Sequence, residues 1–163
     1  MNLIKTITID GYFSEEDAIR LSNIALNLRY SDYEFGKQID NFNMVSDDSS
    51  KLFSKILNTN ITVIDEQSGI FRFPKQFIHF ESFSNLNEWL FVVALQNSTF
   101  NLFEHKSGAK NALENYNFNY RNLFEWNLTV NYLLQPGQGI LFRPWLFHSF
   151  DNGLIQVFRL MEN

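Results

Sequence analysis

Cysteine is absent from the 163-residue chain, which excludes disulfides and thiolate metal ligands and is compatible with a reducing compartment. Basic clusters are absent too. Lys and Arg number 13 against 18 Asp and Glu, for a net charge of −5, and they are scattered. Binding to a nucleic-acid backbone needs such clusters, so nucleic acid is not an expected partner. No apolar run approaches the roughly 20 residues needed to span a bilayer. The opening "MNLIKTITIDGYFSEED" lacks the long apolar stretch of a signal peptide. The expectation is a soluble, cytoplasmic protein with no membrane partner. G-x-S-x-G, P-loop and G-x-G-x-x-G patterns are also missing, which leaves hydrolase-elbow and nucleotide-fold readings without support.

What is present is aromatic. Apolar residues make up 45% of the chain and Phe alone contributes 18. Aromatic side chains suit half-buried pleated surfaces, so a β-rich core is expected. The length fits one domain, residues 1–163.

Residues 3–9 (LIKTITI) read as a short strand. Ser14 begins "SEEDAIRLSNIALNLRY", with Asp17 three positions on, a helix start resembling a capping box. Ala18, Leu21, Ile24, Ala25 and Leu28 then recur at helical spacing. A second helix fits 47–57, entered through "SDDSS", whereas 31–46 has no clear period. From residue 61 short strand-like runs follow one another: "ITVID", "GIFRF", "FIHFESF", "EWLFVVALQ", "STFNLFEH", "LTVNYLLQ", "GILFRP", "FHSF" and "LIQVFRLME". Only 107–124 is ambiguous. The fold class is α+β, with helices in residues 1–60 supporting a β-sandwich or barrel formed by 61–163.

The chain has three histidines, His79, His105 and His148. In an extended strand, His79 and Glu81 of "FIHFESF" share one face, about 6.5–7 Å apart, and converge on a single ion if a third ligand joins them. A second imidazole completes a 2-His-1-carboxylate face with open positions, the arrangement of non-haem Fe(II) oxygenases. His148, in "PGQGILFRPWLFHSF", is the candidate, against the plainer reading of a hydrogen-bonded core histidine. His105 borders a polar loop and is either exposed or near a cavity entrance. Trp89, Trp126 and Trp145 read as core.

The block "PGQGILFRPWLFHSFDNG" resembles the second conserved motif of cupin-type double-stranded β-helices, with Pro136, Gly139, Pro144, His148 and Asn152 in its pattern. Together with Arg159 in "QVFRLMEN", it is similar to the 2-oxoglutarate/Fe(II) oxygenases. Residues 60–163 also resemble a group of small oxygenase-like proteins, several of them phage-encoded. The resemblance implies a double-stranded β-helix (jelly-roll, cupin-like) core with N-terminal helices packed on one sheet. It implies Fe(II) held by His79, Glu81 and His148, and 2-oxoglutarate whose distal carboxylate pairs with Arg159. The guanidinium fork suits that carboxylate. The implied activity is a dioxygenase that hydroxylates a peptide or small molecule using O2, with release of succinate and CO2. The location would be a host cytoplasm if the chain is phage-encoded. The family's usual acid is aspartate, and Glu81 carries one more methylene. Two alternatives stand beside this reading: a non-catalytic cupin-like binding or structural protein, and a metal-dependent cupin enzyme that does not use 2-oxoglutarate. Asn152-Gly153 signals a tight turn. A hairpin there would put Arg159 on the face of His148, whereas in a double-stranded β-helix the two strands lie in facing sheets.

Overall fold

The computed structural model describes residues 6–40, 42–75 and 77–163. Leu3, Ile4 and Lys5 of the expected first strand lie outside them, and what is described of it is β1 (Ile7–Ile9).

Ser14 starts the first helix as expected, because its Oγ accepts from the Asp17 amide at 3.0 Å and satisfies one of the amides left free at a helix start. Helix α1 (Glu15–Ala25) buries Ala18, Leu21 and Ala25. Helix α2 (Ser49–Leu57) buries Phe53 and ends at Asn58, whose left-handed backbone (φ 52°) stops further turns. Between the helices the chain forms a hairpin, β2 (Tyr30–Tyr33) and β3 (Gly36–Ile39), so residues 1–60 are not purely helical support. The hairpin lies at a sheet edge and is half exposed, so it has no sustained apolar alternation to reveal it.

The remaining strands are β4 (Ile61–Val63), β5 (Ile70–Pro74), β6 (Glu88–Ala94), β7 (Ser98–His105), β8 (Trp126–Leu134), β9 (Gly139–Phe142), β10 (His148–Asp151) and β11 (Ile155–Glu162). They build a large antiparallel sheet in the order β1-β9-β6-β11-β5-β3-β2, with β4 also on β11, and a small sheet β10-β7-β8. From β5 onward the chain shuttles between them. β5, β6, β9 and β11 belong to the large sheet, and β7, β8 and β10 to the small one. The result is a β-sandwich of jelly-roll type. Segment 107–124 holds turns, one bridge at Asn111 and the start of a single 3-10 turn at Leu123, with no regular element.

Alternation along the strands divides the apolar residues cleanly. Leu90, Val92, Ile140, Phe142, Ile155 and Val157 of the large sheet meet Phe100, Leu102 and Phe150 of the small one, and that is the sandwich core. Trp89, Phe91, Leu141 and Phe158 turn the other way, onto Phe53 of α2. Ala18, Leu21 and Ala25 of α1 pack on Ile39, Phe71 and Leu154. Both helices therefore cover the outer face of the large sheet. Full burial of one such Phe is worth about 1.5–3 kcal/mol. Trp89, Trp126 and Trp145 are buried, as their sequence setting implies. Among the described residues, no helix is long and apolar enough to cross a membrane.

Two turns set the site. At Pro136–Gly139 the backbone of Gly137 has φ 89° and packs so closely on the Phe13 carbonyl that a Cβ would collide with it. At Asn152-Gly153 both residues have positive φ, 62° and 76°, as a tight turn requires. The strands it joins, β10 and β11, do not pair. The turn is a corner from the small sheet to the large one.

Candidate metal centre

"FIHFESF" is not a regular strand. It runs extended beside β10 and makes a single bridge, in which the His79 amide donates to His148 O (2.9 Å) and the His148 amide donates to His79 O (2.8 Å). The Glu81 amide donates to Pro144 O at 2.9 Å, which holds the extended course two residues further. The face-sharing of His79 and Glu81 survives because alternation needs only extended backbone, not a full ladder. The bridge sets His79 directly opposite His148, with ring centroids 4.4 Å apart.

His79, Glu81 and His148 each offer a donor atom, and all three donors lie within 4.8 Å of one another. The His79 Nε2 to Glu81 Oε1 distance is 3.8 Å. Two ligands at right angles around one ion lie about 3 Å apart, so a modest closing-in completes the face. The imidazoles are already oriented. His79 Nδ1 lies 3.1 Å from Phe77 O, and His148 Nδ1 lies 2.7 Å from Leu146 O. A carbonyl only accepts, so each Nδ1 carries the proton and each Nε2 keeps its lone pair for the centre. Burial pushes the His148 ring well below its ordinary value of 6.5, and nearby His79 adds to the effect. His79 is lowered as well, by burial first and against the opposing pull of Glu81. Both rings are thus neutral near pH 7, the form that ligates. The donor set, two imidazoles and a carboxylate on one face, fits a divalent transition ion.

Arg72 on β5 is a site residue that the motif reading did not single out. Its Nη1 donates to Glu81 Oε1 at 3.0 Å, its Nε donates to Gln38 Oε1 at 2.9 Å, and its guanidinium lies 5.1 Å from the centre of the Tyr33 ring. Burial pushes the Tyr33 hydroxyl up to about 12, with Arg72 opposing, so it stays protonated. The sequence carried a signal: Arg72 is the lone charge of "GIFRF", where Phe71 faces the helices and its neighbour must face the sandwich interior.

The space among these groups is about 10 Å³, close to one water or one ion. Its walls beyond the ligands are apolar, chiefly Leu90, Phe142, Phe150 and Val157. On the outer side of His79 a cleft of about 490 Å³ opens, walled by Phe35, Phe77, Phe80 and Tyr120, with Glu34 and Arg121 among its polar residues. Phe35, at the tip of the β2–β3 hairpin, stacks on the His79 ring at 4.3 Å and 16°.

Arg159 is on the inward face of β11, two residues past Val157, opposite Leu90 of β6. Its Nη1 donates to Glu88 Oε2 at 3.2 Å and its Nη2 to Ser82 O at 2.7 Å. It therefore lies beside the ligand segment, already holding a carboxylate. His105 stands apart from the three donors. It stacks on Phe118 at 3.9 Å, and its Nδ1 lies 2.8 Å from Ser107 Oγ.

No family model matches the chain, and no curated protein matches it. Solved structures do. HygX from Streptomyces hygroscopicus, crystallised with nickel, 2-oxoglutarate and hygromycin B, superposes with a TM-score of 0.60 at 11% identity, covering 99% of this chain and 84% of that one. The same protein with iron bound gives 0.51 at 10% identity, with coverage of 99% and 84%. SnoN, a non-haem α-ketoglutarate-dependent epimerase from nogalamycin biosynthesis, gives 0.62 at 10% identity, covering 98% of this chain and 77% of that one. At such identities the likeness is one of fold.

Proposed function

We propose that this chain is a 2-oxoglutarate- and Fe(II)-dependent dioxygenase built on a double-stranded β-helix. The observation that carries the reading is the convergence of His79, Glu81 and His148 with both Nε2 lone pairs turned inward. The chain's repeated crossing between the two sheets from β6 to β11 supports the β-helix. Neighbours of the same fold that bind iron, nickel and 2-oxoglutarate support the cofactors.

His79, Glu81 and His148 would hold the metal, with Arg72 orienting Glu81 from behind. Fe(II) together with 2-oxoglutarate and O2 supplies oxidative decarboxylation to succinate and CO2, coupled to hydroxylation of a C–H bond. Arg159 would bind the distal carboxylate of the cosubstrate. The aromatic cleft outside His79 is the place for the primary substrate, a small molecule or one side chain of a peptide. Its four rings put an apolar wall beside His79, the kind of lining that shields oxidising chemistry from side reactions. The narrow 10 Å³ space favours one second reading, a metal-dependent cupin-like enzyme that does without 2-oxoglutarate.

Anaerobic Fe(II) with 2-oxoglutarate should give the weak visible charge-transfer band of the chelate, lost in His148→Ala. Uncoupled succinate formation then reports turnover without the primary substrate. No band in the wild type, or an unchanged band in His148→Ala, sinks the proposal.

A further inference from the structure

The apolar lining of the metal space ends in two charges. On β6 the inward residue before Leu90 is Glu88, and on β11 the inward residue after Val157 is Arg159. They meet at 3.2 Å, with Glu88 only 1% exposed. The other oxygen of Glu88 accepts from the Ser84 amide at 2.6 Å, the Ser84 hydroxyl at 2.5 Å and the Asn85 amide at 3.2 Å. The second arm of Arg159 is on Ser82 O, one residue past the ligand Glu81. The guanidinium beside the metal space is thus neutralised by a carboxylate of the chain itself.

We infer that Glu88 is a built-in competitor for the cosubstrate: its carboxylate holds the seat at Arg159 that the distal carboxylate of a 2-oxo acid would take. The inference rests on the oxygenase reading and specifies how that site selects its 2-oxo acid. A second carboxylate approaching Arg159 meets Glu88 first, and like charges at one guanidinium repel. Entry of 2-oxoglutarate therefore requires Glu88 to leave. The route out is short, because Glu88 is the first residue of its strand and Ser84–Asn87 before it are exposed. While Glu88 holds the seat, a distal carboxylate gains little, and 2-oxoglutarate has small advantage over 2-oxobutyrate, which has no such group.

The test compares anaerobic binding of 2-oxoglutarate and 2-oxobutyrate to the Fe(II) protein, read from the charge-transfer band and from the shift in melting temperature. In the wild type the two acids should bind within a few-fold of each other. Glu88→Gln frees Arg159 and should tighten 2-oxoglutarate about tenfold or more, the scale of a charge-assisted contact, while leaving 2-oxobutyrate in place. Adding Arg159→Met to Glu88→Gln removes both charges and should cancel that gain. A wild type that prefers 2-oxoglutarate strongly, or a Glu88→Gln protein with no gain for it, overturns the inference. Failure of both acids to bind in every variant overturns the oxygenase reading instead.

Discussion

Two arginine–glutamate pairs sit inside this sandwich, and they serve opposite ends. Arg72–Glu81 joins at 3.0 Å with side-chain exposures of 15% and 14%, and Arg159–Glu88 joins at 3.2 Å with 13% and 1%. Glu88 is saturated by loop donors on one oxygen and by Arg159 on the other. Glu81 has one arginine contact and faces two imidazoles with its remaining lone pairs. A carboxylate is available to a metal ion through what is left unsatisfied, not through burial or pairing as such. The same ion pair is a fastening in one place and an orienting strut in the other.

The sharpest way to break the contrast is to remove each arginine. Arg159→Met leaves Glu88 buried without its counter-ion and should cost about 3–5 kcal/mol in the metal-free protein. Arg72→Met should cost less, about 1–3 kcal/mol, because Glu81 retains some contact with water. Urea unfolding midpoints check both, and equal losses would erase the distinction. The next effect is on the metal. Arg72→Met lets Glu81 turn and should weaken Co(II) or Fe(II) affinity about 10–100-fold, the usual weight of a group that orients a ligand. Glu88→Gln should leave metal affinity unchanged. Calorimetric titration decides, and a comparable loss in Glu88→Gln would mean that both pairs shape the ligand face.

The smallest effect is on pH. Both buried imidazoles take up a proton less readily in the folded than in the unfolded chain. Their contribution to stability is then fully present above about pH 6.5 and declines as the pH falls below it, where the unfolded chain binds more protons. Denaturation of the metal-free protein at pH 7.5 and 5.5 should show that decline, with a shallower slope in His148→Asn. A flat profile in the wild type would mean that water reaches the ligand cluster.

Much of the candidate ligand face was legible because its logic is local. His79-x-Glu81 shares a face in any extended chain, and the Asn152-Gly153 corner ends the strand that carries His148, while the Pro-Gly turn opens β9 just before it. The helix start at Ser14 was legible for the same reason, one hydroxyl and one amide three residues apart. Neither arginine pairing was. Arg159 meets Glu88 only because β6 and β11 are neighbours in the large sheet, a fact of topology that no spacing encodes. The β2–β3 hairpin escaped too, since an edge hairpin with half-exposed, polar strands lacks periodicity, yet it supplies Tyr33 and Phe35 to the site.

The His79–His148 bridge has a consequence for assembly. It joins two segments distant in sequence through one reciprocal pair of hydrogen bonds and the neighbouring Glu81–Pro144 bond, without a regular ladder between them. Contacts of such long range form late, after the loop-closure cost has been met by the surrounding sheets. Metal loading should therefore follow folding and not direct it. Refolding rates should be the same with and without Co(II), while unfolding slows when the ion is bound.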